Sequence, residues 1–223
     1  MLSNPSMSTL ISVAIGASVI LVLIAVVYFA MRPRSRGYKP SEYNAELTRR
    51  RVALSDLPYT TIHDVKVRDG AGRVIRVDHV VRLPASVLLV TSGPPDIAGP
   101  VKCSQNAGSW RYIANGARVA NMPNPVLQLH PLVQAVRSRF PLVRLRVLTV
   151  FPPAAQISAP SRTVCMADDF IKVVKEFATE DGVESQAIEA AWEPLSKALL
   201  QSGQGAGANK GSSSGSAPRR AVS

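Results

Sequence analysis

The sequence between Ile75 and Asp96, IRVDHVVRLPASVLLVTSGPPD, places one carboxylate, Asp78, in the middle of an apolar strand pattern. With period-2 geometry, Asp78 shares a face with Val74, Arg76, Val80 and Arg82, while Ile75, Val77, His79 and Val81 lie opposite. Such a carboxylate can hold a hard cation or line a polar site. It can equally be a surface aspartate neutralised by Arg76 or Arg82, and the pattern alone leaves both open. The neighbouring strand ends in Thr91-Ser92-Gly93, without a charged side chain. Other chemistries have little support. The two cysteines, Cys103 and Cys165, have no zinc-like spacing and read as buried spectators. His63, His79 and His130 form no i,i+4 pair.

The second candidate surface is basic. The chain of 223 residues carries a net charge of +11. The excess is concentrated in residues 61–150, with twelve Lys/Arg against four Asp/Glu. Arg73, Arg76, Arg82, Arg137, Arg139, Arg144 and Arg146 fall on or beside the expected sheet and its following helix. Arginine suits bidentate phosphate contact, so an anionic partner is expected: DNA, RNA or lipid headgroups. Trp110 and Tyr112 could stack on a base, though Trp110 reads better as packed on the sheet.

The elements that would position these residues follow from periodicity and turn chemistry. A helix is expected from Ser41 to Leu57, with Leu47, Val52, Leu54 and Leu57 inward and Arg49–Arg51 outward. Three strands follow, the first two joined through Asp69-Gly70. A hairpin with a two-residue Asn115-Gly116 turn comes next. Asn124 as cap and Pro125 at the first helical position start a second helix, which Pro131 should kink. A strand up to Phe151 and two further helices complete the order, the first capped by Asp168 and the second interrupted near Pro194. This alternation predicts an α/β fold, a mixed sheet with helices on its faces.

Four pieces in this order resemble the nuclease-related domain (NERD) family, an offshoot of the restriction-endonuclease-like PD-(D/E)xK superfamily. They are Ala45-Glu46 in the first helix, Val77-Asp78-His79-Val80 on the second strand, Trp110 in the hairpin and the Asn124-Pro125-x-x-Gln128 helix start. The resemblance covers Ala45 to about Phe151. It implies a restriction-endonuclease-like fold and a site formed by Asp78, Gln128 and Glu46. In such nucleases the strand-two acid and a Glu-x-Lys on strand three hold Mg²⁺ and activate water. Here Thr91 and Gly93 stand at the Glu and Lys positions. The expected outcome is a degenerate site that binds an anionic partner without cutting it and needs no cofactor. One alternative is an active Mg²⁺ nuclease, its metal held by Asp78 with a migrated set including Asp96 and Lys102. Another is a structural subunit that docks a protein partner in a membrane assembly.

The flanks complete the expected organisation. Residues 9–31 form a charge-free apolar stretch, which as a helix reaches ~34 Å, enough to cross a bilayer. Arg32, Arg34, Arg36 and Lys39 follow it and favour the C-terminal side as cytoplasmic. The expectation is a single-pass protein of the bacterial inner membrane. It would have a short external N-terminus at 1–8, an anchor at 9–31 and a basic linker at 32–40. The domain would occupy 41–155, a helical extension 156–200 and a disordered Gly/Ser-rich tail 201–223.

Overall fold

The computed structural model describes residues 38–69, 72–104, 106–158 and 161–204. The expected anchor at 9–31 and most of the expected tail lie outside them. Among the described residues no helix is long and apolar enough to cross a membrane.

Helix α1 (Pro40–Ser55) leads into strands β1 (Thr61–Arg68), β2 (Val74–Arg82) and β3 (Val87–Ser92). Strands β4 (Ile97–Lys102), β5 (Ser109–Ala114) and β6 (Arg118–Pro123) come next, then α2 (Pro125–Arg139) and β7 (Leu145–Phe151). Short strands β8 (Ala155–Ile157) and β9 (Val164–Met166) precede α3 (Phe170–Asp181) and α4 (Gln186–Gln204). The protein is a mixed α/β structure with two mixed sheets. One is ordered β1-β2-β3-β7-β9, the other β6-β5-β4-β8. In the first sheet β1, β2 and β3 are antiparallel, while β7 runs parallel to β3 and β9 parallel to β7.

Apolar side chains fix this arrangement on both faces of the five-stranded sheet. On one face Val77, Val80, Val87 and Leu89 pack against Leu129, Leu132 and Val136 of α2 and Ile188, Trp192 and Leu195 of α4. On the other, Val81, Leu88, Val90 and Leu148 meet Leu54 of α1 and Phe170, Val174 and Phe177 of α3. A third cluster joins the two sheets, with Trp110, Ile97, Tyr112 and Met122 around Phe151. Each fully buried Leu or Val contributes about 1.5–3 kcal/mol of transfer free energy. Among the described residues, none before Leu54 belongs to these clusters.

The expected helix–strand order holds, with local corrections. The inner face of α1 is Glu46, Arg50 and Leu54, so Arg50 is buried and Val52 is 56% exposed, the reverse of the expectation. The i, i+4 spacing explains it, because the long arginine meets Glu46 on the same face. Helix α2 runs through Pro131 and α4 through Pro194. The freed carbonyls belong to Leu127 and Ala190, both exposed, so water can satisfy them and neither helix ends. Asp168 lies in a 3-10 turn, and Asp169, not Asp168, precedes α3. The hairpin loop has three residues, Asn115 to Ala117, with Asn115 and Gly116 both at positive φ. Strands β4, β8 and β9 were not foreseen. The alternation along β2 also breaks. Ile75 and Val77 face α2 and α4, Val81 faces α1 and α3, yet Val80 rejoins the Val77 side. The break centres on Asp78, and its register neighbour Asp64 has φ 53°.

Candidate functional site

The break in β2 turns Asp78 toward a cavity of about 610 Å³. Tyr43 of α1, Arg73 before β2, Arg76 and Asp78 of β2, Thr91 to Pro95 after β3, and Asn124 and Gln128 of α2 line it. The parallel pairing of β3 with β7 brings the ends of these strands together, and α2 begins beside them.

Asp78 is 7% exposed and does not stand alone. Arg76 Nε lies 3.5 Å from its Oδ1, and another nitrogen of the same guanidinium is 3.3 Å from Asp64 Oδ1. The arginine thus occupies the space between two carboxylates. At the rim, Asp69 is paired with Arg73 at 2.7 Å. Tyr43 stands close by, and its phenol is held above the usual value by burial first, then by the negative charge of Asp78.

Glu46 is buried but does not line the cavity. Its carboxylate is 2.8 Å from Arg49 and 3.5 Å from Arg50 Nε, an ion-pair distance without hydrogen-bond geometry. Arg50 donates from its other end to Ser92 Oγ at 3.0 Å. The network therefore ties α1 to the end of β3. Gln128 is exposed at the cavity, one turn after Asn124. Asn124 is fully buried and accepts from Val126 N–H at 3.0 Å, while its amide donates to Ala107 O at 2.9 Å. Asn124 fixes the start of α2, and Gln128 is the polar side chain it presents.

The strand-three positions are filled by other contacts. Thr91 Oγ1 lies 3.4 Å from Thr149 Oγ1. Gly93 has no room for a side chain, because a Cβ there would overlap Cδ1 and Cε1 of Phe151. That ring is fully buried against Trp110. Trp110 itself is 1% exposed and donates its indole N–H to Ser104 O at 2.7 Å, a core residue and not a stacking platform. Of the migrated set, neither Asp96 nor Lys102 lines the cavity, and Asp96 accepts from the Tyr112 hydroxyl at 3.3 Å.

Beside Asp78, His79 points to the α3 side and its Nδ1 is 2.9 Å from His63 Nδ1. His63 Nε2 is 3.3 Å from Thr61 Oγ1, and His79 Nε2 has no partner. The least costly assignment has His79 Nδ1–H donating to His63 and leaves only a lone pair unpaired at His79 Nε2. Burial, then the charges of His63, Arg50 and Arg51, pushes His79 down to about 3.

The arginines singled out by charge are dispersed. Arg82 is paired with Glu184. Arg146 is nearly buried, 2.7 Å from Asp181 and 3.0 Å from Glu180, with its guanidinium 4.7 Å over the Phe177 ring. Arg137, Arg139 and Arg144 are exposed at the far end of the sheet from the cavity. Among the described residues no group of three His, Cys, Asp or Glu is placed to hold a metal. Tyr43, Arg50, Asp64, Ser92 and Phe151 were missed by sequence reasoning. The i, i+3, i+7 spacing of Tyr43, Glu46 and Arg50 was the available signal for two of them. No protein-family model, curated protein or solved structure matches the chain.

Proposed function

We propose that this protein is a membrane-anchored, cytoplasmic domain of restriction-endonuclease-like, NERD-like type that binds an anionic partner without cleaving it. The observation carrying this reading is the occupancy of the cavity by the chain's own groups. A hard divalent cation needs several free oxygen ligands. Asp78 is the only carboxylate among the three family positions that lines the cavity, and Arg76 already neutralises it. The residues present do not fit Mg²⁺.

The position of the phosphate-facing lysine supports the same reading. Gly93 is packed under Phe151, so loss of the side chain is matched by a ring that fills its volume. A cation-stabilised phosphoryl transition state has no donor there. The strand carrying Asp78, the capped start of α2 and a mixed sheet flanked by helices agree with the resemblance. The positive balance of the chain supports binding as the remaining activity.

The test is a cleavage assay on single- and double-stranded DNA and RNA with Mg²⁺ or Mn²⁺. Wild-type protein is expected to match buffer, while still retaining nucleic acid or anionic lipid at low salt. Cleavage that disappears in Asp78→Ala, in protein free of contaminating nuclease, would overturn the reading and restore the enzyme.

A further inference from the structure

The end of the five-stranded sheet opposite the cavity is where β3 and β7 begin, Val87 beside Leu145, and where β2 ends at Arg82. Three loops meet there. Ser185 N–H donates to Pro84 O at 2.8 Å, Ala85 N–H donates to Asp181 at 3.2 Å, and Val87 N–H donates to Arg144 O at 2.8 Å. The turn before β3 is thus bonded to both the α3–α4 connection and the α2–β7 connection.

Three carboxylates among the described residues at this end are already engaged. Glu184 holds Arg82, Asp181 holds Arg146, and Glu180 is shared by Arg146 and Arg162. Arg137, Arg139 and Arg144 are left exposed with no ion pair among the described residues. Arg139 lies 5.6 Å over the Phe140 ring. Between them Leu142 is 81% exposed, and on the adjoining loop Val183 is 87% exposed. These are the two most exposed large apolar side chains among the described residues.

We propose that this end docks on an anionic bilayer surface, with Leu142 and Val183 entering the interface and Arg137, Arg139 and Arg144 at the level of the phosphates. The proposal rests on the anionic-partner reading above and names the partner and the surface. Arg137 and Arg139 also complement the carbonyl end of α2. That role accounts for neither Arg144 nor the two aliphatic side chains. A nucleic acid would use the cations but gains little from isolated Leu and Val tips. Among the described residues no aromatic ring here is free to stack on a base, since Phe140 is half-buried beneath Arg139. A bilayer interface favours both kinds of side chain at once.

The full chain is combined with nanodiscs of phosphatidylcholine alone, or of phosphatidylcholine with phosphatidylglycerol, and backbone hydrogen exchange is followed in peptides covering 139–144 and 182–185. Both segments are expected to exchange more slowly on the anionic discs only, and added salt should remove the difference. Each arginine contributes roughly fivefold at an anionic surface, so Arg137→Glu, Arg139→Glu and Arg144→Glu together should weaken docking on the order of a hundredfold or more. Leu142→Ser with Val183→Ser should reduce the protection while leaving its salt dependence. Equal exchange on both discs overturns the proposal, as does protection that survives the triple substitution. A parallel titration with duplex DNA on neutral discs separates the two levels. Protection by DNA but not by phosphatidylglycerol removes the bilayer assignment and leaves the anionic-partner reading standing. Protection by neither removes both.

Discussion

The two ends of the five-stranded sheet handle charge in opposite ways. At the cavity end Asp69 faces Arg73, Asp64 and Asp78 share Arg76, and Glu46 is enclosed by Arg49 and Arg50. At the other end, among the described residues, six arginines meet three carboxylates, and three of the cations have no ion pair. The cavity end is therefore electrostatically closed, while the opposite end keeps free charge among the described residues. The net charge of a chain says how much is available. Only the pairing says where.

The comparison can be broken most sharply at Asp181. Its side chain is fully buried against Arg146, which is only 10% exposed. Asp181→Ala leaves that guanidinium with only the half-exposed Glu180 as counter-charge and removes the acceptor for Ala85 N–H and the Ser86 hydroxyl. A loss of about 3–5 kcal/mol in urea unfolding is expected. A loss below about 1 kcal/mol would mean that the paired charges at this end are surface decoration.

At the cavity end the next effect is steric. Gly93→Lys must displace Phe151, and overpacking of this kind costs about 1–3 kcal/mol or more. Thermal melting of Gly93→Ala, which isolates the Cβ, should already fall by several degrees. Pairing Gly93→Lys with Phe151→Ala should recover part of the loss. An unchanged melting temperature in Gly93→Ala would reopen the cavity as a place for a restored lysine.

The third effect lies between the ends, at His79. Its folded-state pKa, about 3, is below the unfolded value near 6.5. The unfolded chain therefore binds the extra proton, and stability is full above pH 6.5 and declines as the pH falls through it. The loss is at most about 1.4 kcal/mol per pH unit, or about 2 kcal/mol by pH 5. His79→Phe should flatten urea midpoints between pH 7.5 and 5. A slope equal to that of wild type would assign the acid sensitivity elsewhere.

The smallest effect is expected at Arg76→Ala. Its guanidinium is 54% exposed, so its two ion pairs are screened and their loss should cost less than ~1 kcal/mol. Calorimetric titration with Mn²⁺ should still show no tight binding, since Asp64 and Asp78 alone offer a sparse ligand set. Tight binding in the variant would make Arg76 the sole barrier to a metal.

Much of the fold was legible because apolar periodicity and turn chemistry are local. Asn124-Pro125 announced α2, and the apolar run Val87–Val90 announced the third strand. The short strands β8 and β9 were not legible, because three residues carry no period and their pairing with distant strands decides them. At the site, Asp78 and Gln128 were found and do share the cavity. Glu46 was found but belongs to a buried ion pair, since its i+4 neighbour Arg50 turns inward. The occupation of Gly93's side-chain space depends on Phe151, 58 positions away, and no spacing rule reaches that far.

One hydrogen bond near the start of the described chain has a mechanical consequence. Tyr38 N–H donates to Pro95 O at 2.7 Å, just ahead of α1. A pull on the chain preceding Tyr38 is borne first by that single bond, which opens like the first tooth of a zipper. Load then passes to α1, which is tied to the sheet by Arg50 on Ser92 and by the buried Leu54. The antiparallel strands beyond α1 would feel tension only after the helix has peeled away. The domain should therefore yield to traction in two steps, a small early extension from α1 and a later one from the sheet.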